Sequence, residues 1–508
     1  MKSKSGKTIS LWMATTEVPG HATLTENTHA DVCIVGAGIA GMTTAYLLAR
    51  EGKSVIILDD GRIGGGMTER TTAHLSNAID DRYFEIERLH GEKGARLAAE
   101  SHTTAIDRIE AIVTEERIDC DFERLSGFLF VPPGDSIEIL RHELTAAHRA
   151  GLTEVKQVER APIDSFDSGI CLHFPRQAQF HPLKYLTGLT RAIERDGGRI
   201  FTGTHVSSME GGTSARVETS NGYVVTADAI VIATNTPINN IVTIHTKQAA
   251  YSTYVVGARI PRGSVTRALY WDTLDPYHYI RLHSVSRDYD MLMVGGEDHK
   301  SGQADDGARR HSQLETWARE RFTMIEKMEF HWSGQVMEPV DSVAFIGCNP
   351  GDPKNVYIAT GDSGMGLTHG TIAGILITDL IMGRKNPWVP LYDPSRKTIR
   401  ALGKFAEENL NVVAQYVDYL TGGDVDSPEK VAKGEGAIIR RGTTKLAVYR
   451  DRQGILHERS ALCPHLGCIV SWNKLEKTWD CPCHGSSFNR YGGIIKGPAN
   501  SDLEVEEQ

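Results

Sequence analysis

Two groups of residues, one near each end of the chain, have the types and spacing that chemistry requires. Toward the C-terminus, Cys463-x-His465 is followed after 15 residues by Cys481-x-x-His484. Thiolates and neutral imidazoles are ligands for iron or zinc, and two such pairs on two loops can close around one centre. With Cys468 and Cys483 they put four cysteines within 21 positions, a crowding that reads as metal before it reads as a disulfide framework. The other four, Cys33, Cys120, Cys171 and Cys348, stand singly among apolar neighbours and read as small buried hydrophobes.

Near the N-terminus, Gly36, Gly38 and Gly41 form GxGxxG between the apolar run DVCIV and the helical stretch MTTAYLLARE. The first glycine permits a tight turn, the second lets backbone approach a pyrophosphate, and the third lets helix and strand pack closely. The helix N-terminus adds free N–H groups and a partial positive charge. Asp59 closes the next apolar run, SVIIL, 18 residues beyond Gly41, where a carboxylate would grip a ribose hydroxyl; Asp60 is the adjacent alternative. No second GxGxxG follows a later strand. A single unit with a long remainder points to a flavin dinucleotide that spans its whole domain.

These residues need elements to position them. A chain of 508 residues is too long for one ordinary core, and fifty glycines against 19 prolines suit a globular α/β protein with many tight turns. Residues 31–60 read strand–turn–helix–strand, and helix-period apolar positions run over 94–117 and 310–328. YVVTADAIVIAT (223–234) and NVYIAT (355–360) read as strands, the second leading through a glycine-rich turn into a helix at 367–382. From AIIRRG onward the pattern becomes short-stranded. The expected organisation is an N-terminal extension (1–30), an oxidoreductase domain (31–396), a connecting helix and linker (397–430) and a small β domain (431–508). A net charge of −10 without a basic stripe speaks against nucleic acid. The polar N-terminus lacks a signal-peptide core, and no apolar run approaches a membrane span, so a cytoplasmic protein is expected.

Residues ~10–400 resemble the D-amino-acid oxidase, glycine oxidase and sarcosine oxidase superfamily. The matching pieces are VGAGIAGMTTAYLLAREGKSVIILDD, HPLKYLTGL (181–189), ADAIVIATN (228–235), HWSGQVMEPVDSVAFIG (331–347) and, most specifically, ATGDSGMGLTHGTIAGILITDLI (359–381). The resemblance implies an α/β, Rossmann-type FAD-binding domain with a β-rich substrate subdomain. It implies that Gly361, Asp362, Gly364 and Gly366 approach the ribityl and pyrimidine side of the flavin, and that the backbone of Val206 meets the adenine. Two departures stand out. Relatives that tether flavin use a histidine soon after the second strand; Arg70 occupies that position here, with His74 nearby, so non-covalent FAD is expected. The usual Asp-Gly-x-Pro is Asp341-Ser-Val-Ala, so a differently shaped turn is expected there.

The C-terminal pattern resembles a Rieske [2Fe–2S] centre in a small all-β domain, which makes Cys463, His465, Cys481 and His484 the ligands. Tetrahedral zinc is the competing reading; Gly485-Ser486 and Gly497-Pro498-Ala499 match the Rieske pattern and have no zinc rationale. Cys468 and Cys483 take the place of the loop-to-loop disulfide of the bc1-like subclass. Ser486 matches a serine that donates to cluster sulfur, but Phe488 stands where those relatives carry a tyrosine. One hydrogen bond fewer implies a potential below the bc1 range.

Together the two resemblances imply an FAD-dependent dehydrogenase that oxidises a C–N bond of an amine or amino acid and passes electrons singly through the cluster to an external acceptor. Inward electron flow, as in a reductase or hydroxylase, and a redox carrier without turnover are the alternatives. A Rieske oxygenase would need a mononuclear iron domain after the cluster, and only 24 residues follow His484. For the substrate, Tyr279 and Arg281 are two apart on a strand reading and could hold a carboxylate; a packed tyrosine with an ion-paired arginine explains them equally. His299 and Trp332 are weaker candidates.

Overall fold

A computed structural model describes residues 6–132, 134–239 and 243–506. The runs DVCIV and SVIIL become the parallel strands Thr28–Val35 and Val55–Leu58, joined by the helix Ile39–Arg50. Their continuous β-branched character suits strands covered on both faces. They sit in an eight-stranded sheet ordered Phe345–Cys348, Val356–Thr360, Val224–Ile232, Thr28–Val35, Val55–Leu58 and Arg199–Phe201, with the hairpin Val206–Glu210 and Ala215–Thr219 attached to Val224–Ile232. The helices Ile39–Arg50 and Gly366–Ile381 pack closely, because Gly370 and Gly374 carry no side chain toward Ile39 and Thr43.

A nine-stranded sheet forms the second layer. Its long strands Gln248–Pro261, Tyr289–Lys300 and Lys327–Pro339 run antiparallel, and His278–Ser284 and Leu269–Asp272 continue it. The helix Gly307–Arg321 packs on this sheet through Leu314 and Ala318. The apolar period over 310–328 predicts a longer helix. The chain leaves helical geometry at Phe322, whose ring buries against Phe166 at 5.5 Å, and the strand Lys327–Pro339 takes over. Ile325 and Met328 pack on the same core from a turn and a strand, so the apolar signal there reports burial and not helix.

Residues 435–496 form two small antiparallel sheets of three and four strands around Tyr449, Trp472, Trp479 and Phe488. The helix Leu402–Gln415 connects them to the rest. The segment expected as an N-terminal extension packs tightly. Ser10 caps the short helix Leu11–Thr15, and Trp12 is fully buried. Cys33, Cys120 and Cys171 are buried as expected, but Cys348 ends a strand and is exposed. At the turn expected to differ, Ser342 adopts φ +64°, the left-handed conformation that favours glycine, so Asp341-Ser-Val-Ala still turns. Among the described residues no helix is long and apolar enough to cross a membrane.

Candidate active site and cluster site

The glycine motif closes the loop between the first strand and its helix. Gly36 has φ +108°, and a Cβ there would stand 2.4 Å from the Ala233 carbonyl oxygen. A Cβ on Gly41 would lie 1.9 Å from the Gly36 carbonyl oxygen, so only glycine lets helix and loop meet. Gly38 has no side chain to cap the helix, the Thr68 hydroxyl accepts from the Ile39 amide at 3.1 Å, and Gly38, Ile39 and Ala40 line a cavity of about 320 Å³. Asp59 and Asp60 line it too. Asp59 braces the loop, accepting hydrogen bonds from the amides of Ala37 and Gly61, each at 2.7 Å. Asp60 faces His205 Nδ1 at 3.5 Å.

Gly361, Asp362, Gly364 and Gly366 line the same cavity from the turn before Gly366–Ile381. Gly361 and Gly364 have φ +75° and +72°. Asp362 Oδ1 accepts from the Met337 amide at 3.0 Å, and burial pushes its carboxyl up to about 6. His74 also lines the cavity. Burial lowers it to about 3, so the ring is neutral; its Nε2 donates to the Ile280 carbonyl at 3.3 Å and its Nδ1 accepts from the Thr72 hydroxyl at 3.1 Å. Val206 lines the cavity, but its carbonyl accepts from Asn500 Nδ2 at 3.0 Å.

The structure separates Tyr279 from Arg281. Tyr279 lines the cavity and its hydroxyl meets Thr253 Oγ1 at 3.1 Å. Arg281 does not line it. The guanidinium donates to the carbonyls of Thr72 and Ala73 at 2.7 and 2.6 Å and stands 5.1 Å from the Trp12 ring centroid. Burial lowers it to about 9. The expected carboxylate clamp is therefore not assembled, because the arginine satisfies backbone carbonyls left over by the irregular chain at 72–73. Trp332 is a core residue whose Nε1 donates to the Arg70 carbonyl at 2.9 Å. His299 lies in the strand Tyr289–Lys300, stacked on Tyr254.

At the other site, Cys463 and Cys481 are buried and free of disulfides, while Cys468 is bonded to Cys483 across a Cα–Cα distance of 6.4 Å. The rings of His465 and His484 stand 5.0 Å apart at 89°. Burial lowers His484 to about 4, which keeps it neutral, and its Nδ1 is buried without a hydrogen-bond partner. A buried orphan nitrogen beside two thiols is what a metal ligand set leaves when described without its ion. The sulfurs of Cys468, Cys481 and Cys483 all lie within 4.8 Å of one another, but two of them are bonded together and cannot ligate. The four residues thus fit a two-cysteine, two-histidine cluster. The Ser486 hydroxyl bonds Cys463, and Phe488 is fully buried.

The two sites share walls. Residues 494–497, 499 and 500 line the dinucleotide cavity from the small β domain. Gln335 lines it from the large sheet, and its Nε2 donates at 3.0 Å to the carbonyl of Gly485, next to His484. His245 packs its ring 4.7 Å from His465 and 6.0 Å from His484. Arg70 contacts Glu476 Oε1 at 3.2 Å with both side chains almost fully buried. Desolvation opposes the Glu476 charge, but Arg70, Ser333 and Thr8 outweigh it and hold the carboxyl below its ordinary value. Sequence reasoning missed Gln335, His245, Glu476 and Asn500, since nothing local marks a residue that meets its partner across a domain interface.

The FAD dependent oxidoreductase family (DAO) matches residues 31–380, and the Rieske [2Fe-2S] domain matches 423–506. The Rieske 2Fe-2S iron-sulfur protein YhfW of Bacillus subtilis (strain 168) is 31% identical over 498 residues, 97% of this chain and 96% of its own. Gamma-glutamylputrescine oxidoreductase of Escherichia coli (strain K12) is 26% identical, covering 71% of this chain and 85% of its own. Glycine oxidase from Geobacillus kaustophilus shares the fold at a TM-score of 0.60 and 18% identity, over 73% of this chain and 99% of that one. The helix N-terminus and glycine-walled cavity fit FAD, and the buried Cys/His set fits the cluster. This chain belongs to the FAD dependent oxidoreductase (DAO) family and carries a C-terminal Rieske [2Fe-2S] domain.

Proposed function

We propose that this protein is a dehydrogenase that oxidises a C–N bond of an amine or amino acid and passes the electrons out through its Rieske domain, one at a time, to an external acceptor. The carrying observation is the shared wall: residues 494–497 of the Rieske domain line the flavin cavity, and Gln335 spans from that cavity to Gly485 beside His484. FAD supplies a hydride acceptor and the cluster a one-electron carrier. The C–N assignment draws on the relatives, one named for gamma-glutamylputrescine and one for glycine.

This chain's own residues do the rest. Gly36, Gly38 and Gly41 admit the diphosphate against the helix N-terminus, and Asp59 or Asp60 meets the ribose. Arg70 stands where a tethering histidine would be and is committed to Glu476, so FAD is held without a covalent bond. Residues 494–497, 499 and 500 of the Rieske domain form part of the cavity wall. The substrate loses a hydride from the carbon bearing nitrogen, and the resulting imine is hydrolysed.

An anaerobic panel on cluster-loaded protein tests this, following flavin bleaching and the reduced-cluster EPR signal together. Amines, amino acids, NADH and NADPH are compared. An amine or amino acid that bleaches the flavin, with the EPR signal following, is the expected result. Reduction by NADH or NADPH alone, the cluster filling first, would reverse the direction of flow and overturn the proposal.

A further inference from the structure

Part of the cavity wall is aromatic. Trp271, Tyr277, Tyr279 and His74 line it. The His74 ring stands 5.9 Å from Trp271 and 5.7 Å from Tyr279, and the two tyrosine rings are 5.7 Å apart. Glycines make room for two of them. A Cβ on Gly295 would stand 2.2 Å from the Tyr279 ring, and one on Gly127 would stand 2.6 Å from Trp271. Tyr279 and Trp271 thus lie close against backbone, and both line the cavity.

Asp80 lines the same space. No described residue donates a hydrogen bond to its carboxylate, and Asp81, Asp298 and Asp362 add negative charge around it. Behind it, the Ser363 hydroxyl lies 2.6 Å from Asp81 and 2.9 Å from Glu338 and can donate to only one of them, while Ser342 also bonds Asp81. Lys404 acts on Asp81 and Glu338, and Arg310 on Asp298. Arg82 spends its guanidinium on the carbonyls of Asp80 at 2.8 Å and Asp272 at 3.4 Å, and Arg281 faces away onto carbonyls of its own. Arg70 and Lys496 also line the cavity, but Arg70 pairs with Glu476, and Lys496 answers to Asp480 first and Glu476 after it. Burial without sufficient counter-charge pushes Asp80 up to about 7.

A site of this kind calls for a positive ligand. A metal ion does not suit it, because among the described residues no three carboxylate oxygens lie within 4.8 Å of one another. An organic cation does, since aromatic faces attract ammonium groups and the half-buried Asp80 carboxylate completes the charge. A substrate carboxylate, by contrast, would meet repulsion from Asp80, and Arg70, which lines the cavity, is already paired with Glu476.

We propose that the substrate is an organic ammonium compound without a carboxylate beside its reacting carbon, its cation seated against Asp80 between the rings of Trp271, Tyr277 and Tyr279. This inference rests on the proposed C–N oxidation and narrows its substrate class. Asp80 and the rings are specificity-determining contacts; the acid repels the amino acids that an arginine clamp would select.

The test uses FAD- and cluster-loaded protein with two kinds of probe. Butylamine, N-methylbutylamine and 1,4-diaminobutane are compared with glycine, sarcosine and proline for anaerobic flavin bleaching. Tetramethylammonium, whose nitrogen has no lone pair to support hydride loss, reports binding alone through its shift of the flavin absorbance. The expected result is bleaching by amines and not by amino acids, and a tetramethylammonium shift that competes with the amine. Asp80→Asn should weaken both amine half-saturation and tetramethylammonium binding by about ten-fold or more. Tyr277→Leu, at a half-buried ring, should weaken both by a few-fold and guards against loss of fold in the first variant. Bleaching by amino acids as readily as by amines overturns the inference while the C–N reading stands. So does unchanged tetramethylammonium binding in both variants. Tetramethylammonium binding that needs Asp80, with no bleaching by any amine or amino acid, overturns the C–N reading and leaves the cation site in place.

Discussion

Replacing Glu476 with alanine strands the Arg70 guanidinium inside the interface between the two domains. Arg70 and Glu476 side chains are 2% and 8% exposed, so neither charge has water to fall back on. Glu476 also accepts from the Thr8 amide at 2.9 Å and the Ser333 hydroxyl at 2.6 Å. Breaking a buried pair by removing one partner costs about 3–5 kcal/mol, because the remaining charge is left uncompensated. Arg70 keeps the carbonyls of Ser333 at 2.7 Å and Thr8 at 3.1 Å, which places the loss toward the low end. Glu476→Gln keeps one acceptor oxygen, enough for Ser333 and Arg70 but not for the Thr8 amide as well, and should cost about 1–3 kcal/mol. The loss falls on docking of the Rieske domain against the flavin cavity. Flash-mixing with substrate under anaerobic conditions reads it directly: flavin bleaching should continue in Glu476→Ala while the cluster EPR signal lags behind. The carboxyl is held below its ordinary value in the fold, so its contribution is full above the unfolded value of about 4.3 and is lost as pH falls through the folded one. Glu476→Gln should flatten that acid limb of a stability profile. A variant whose cluster fills at the wild-type rate and whose melting temperature is unchanged would refute the claim that this pair holds the domains together.

Other perturbations follow from the same geometry. Gly41→Ala puts a methyl 1.9 Å from the Gly36 carbonyl oxygen, so purified protein should lose its bound FAD while keeping its cluster, measured by absorbance of each. Cys468→Ser opens a bridge with a sequence separation of 15 and should lower stability of the Rieske domain by about 3 kcal/mol; an unchanged chemical unfolding midpoint would contradict this. Ser486→Ala removes the hydroxyl that bonds Cys463 and should lower the cluster potential, whereas Phe488→Tyr should raise it. In the unmodified protein, a redox titration should place the centre below the upper end of the Rieske range, roughly −150 to +300 mV.

Much of this was legible in local spacing. Strand, glycine loop and helix follow one another within thirty residues, so Gly36, Gly38 and Gly41 announce their role by position alone, and the Cys/His pairs do the same on their two loops. The apolar period was a poorer guide at 310–328, where burial continues across a change from helix to strand. Tyr279 and Arg281 show the limit of the alternation rule. They share a strand, yet only one lines the cavity, because carbonyls at 72–73, some two hundred residues earlier, claim the other.

The sequence by itself determined which chemistry is present, since ligand types and glycine positions are short-range facts that local backbone sterics impose. Only the tertiary structure decided how the two chemistries meet. Asp80 meets Trp271 and Tyr277 from nearly two hundred residues away to form one pocket, and Gln335 and Glu476 join the flavin cavity to the Rieske domain. Such contacts depend on the long-range register of sheets and on burial of charge between domains, and no window along the chain encodes either.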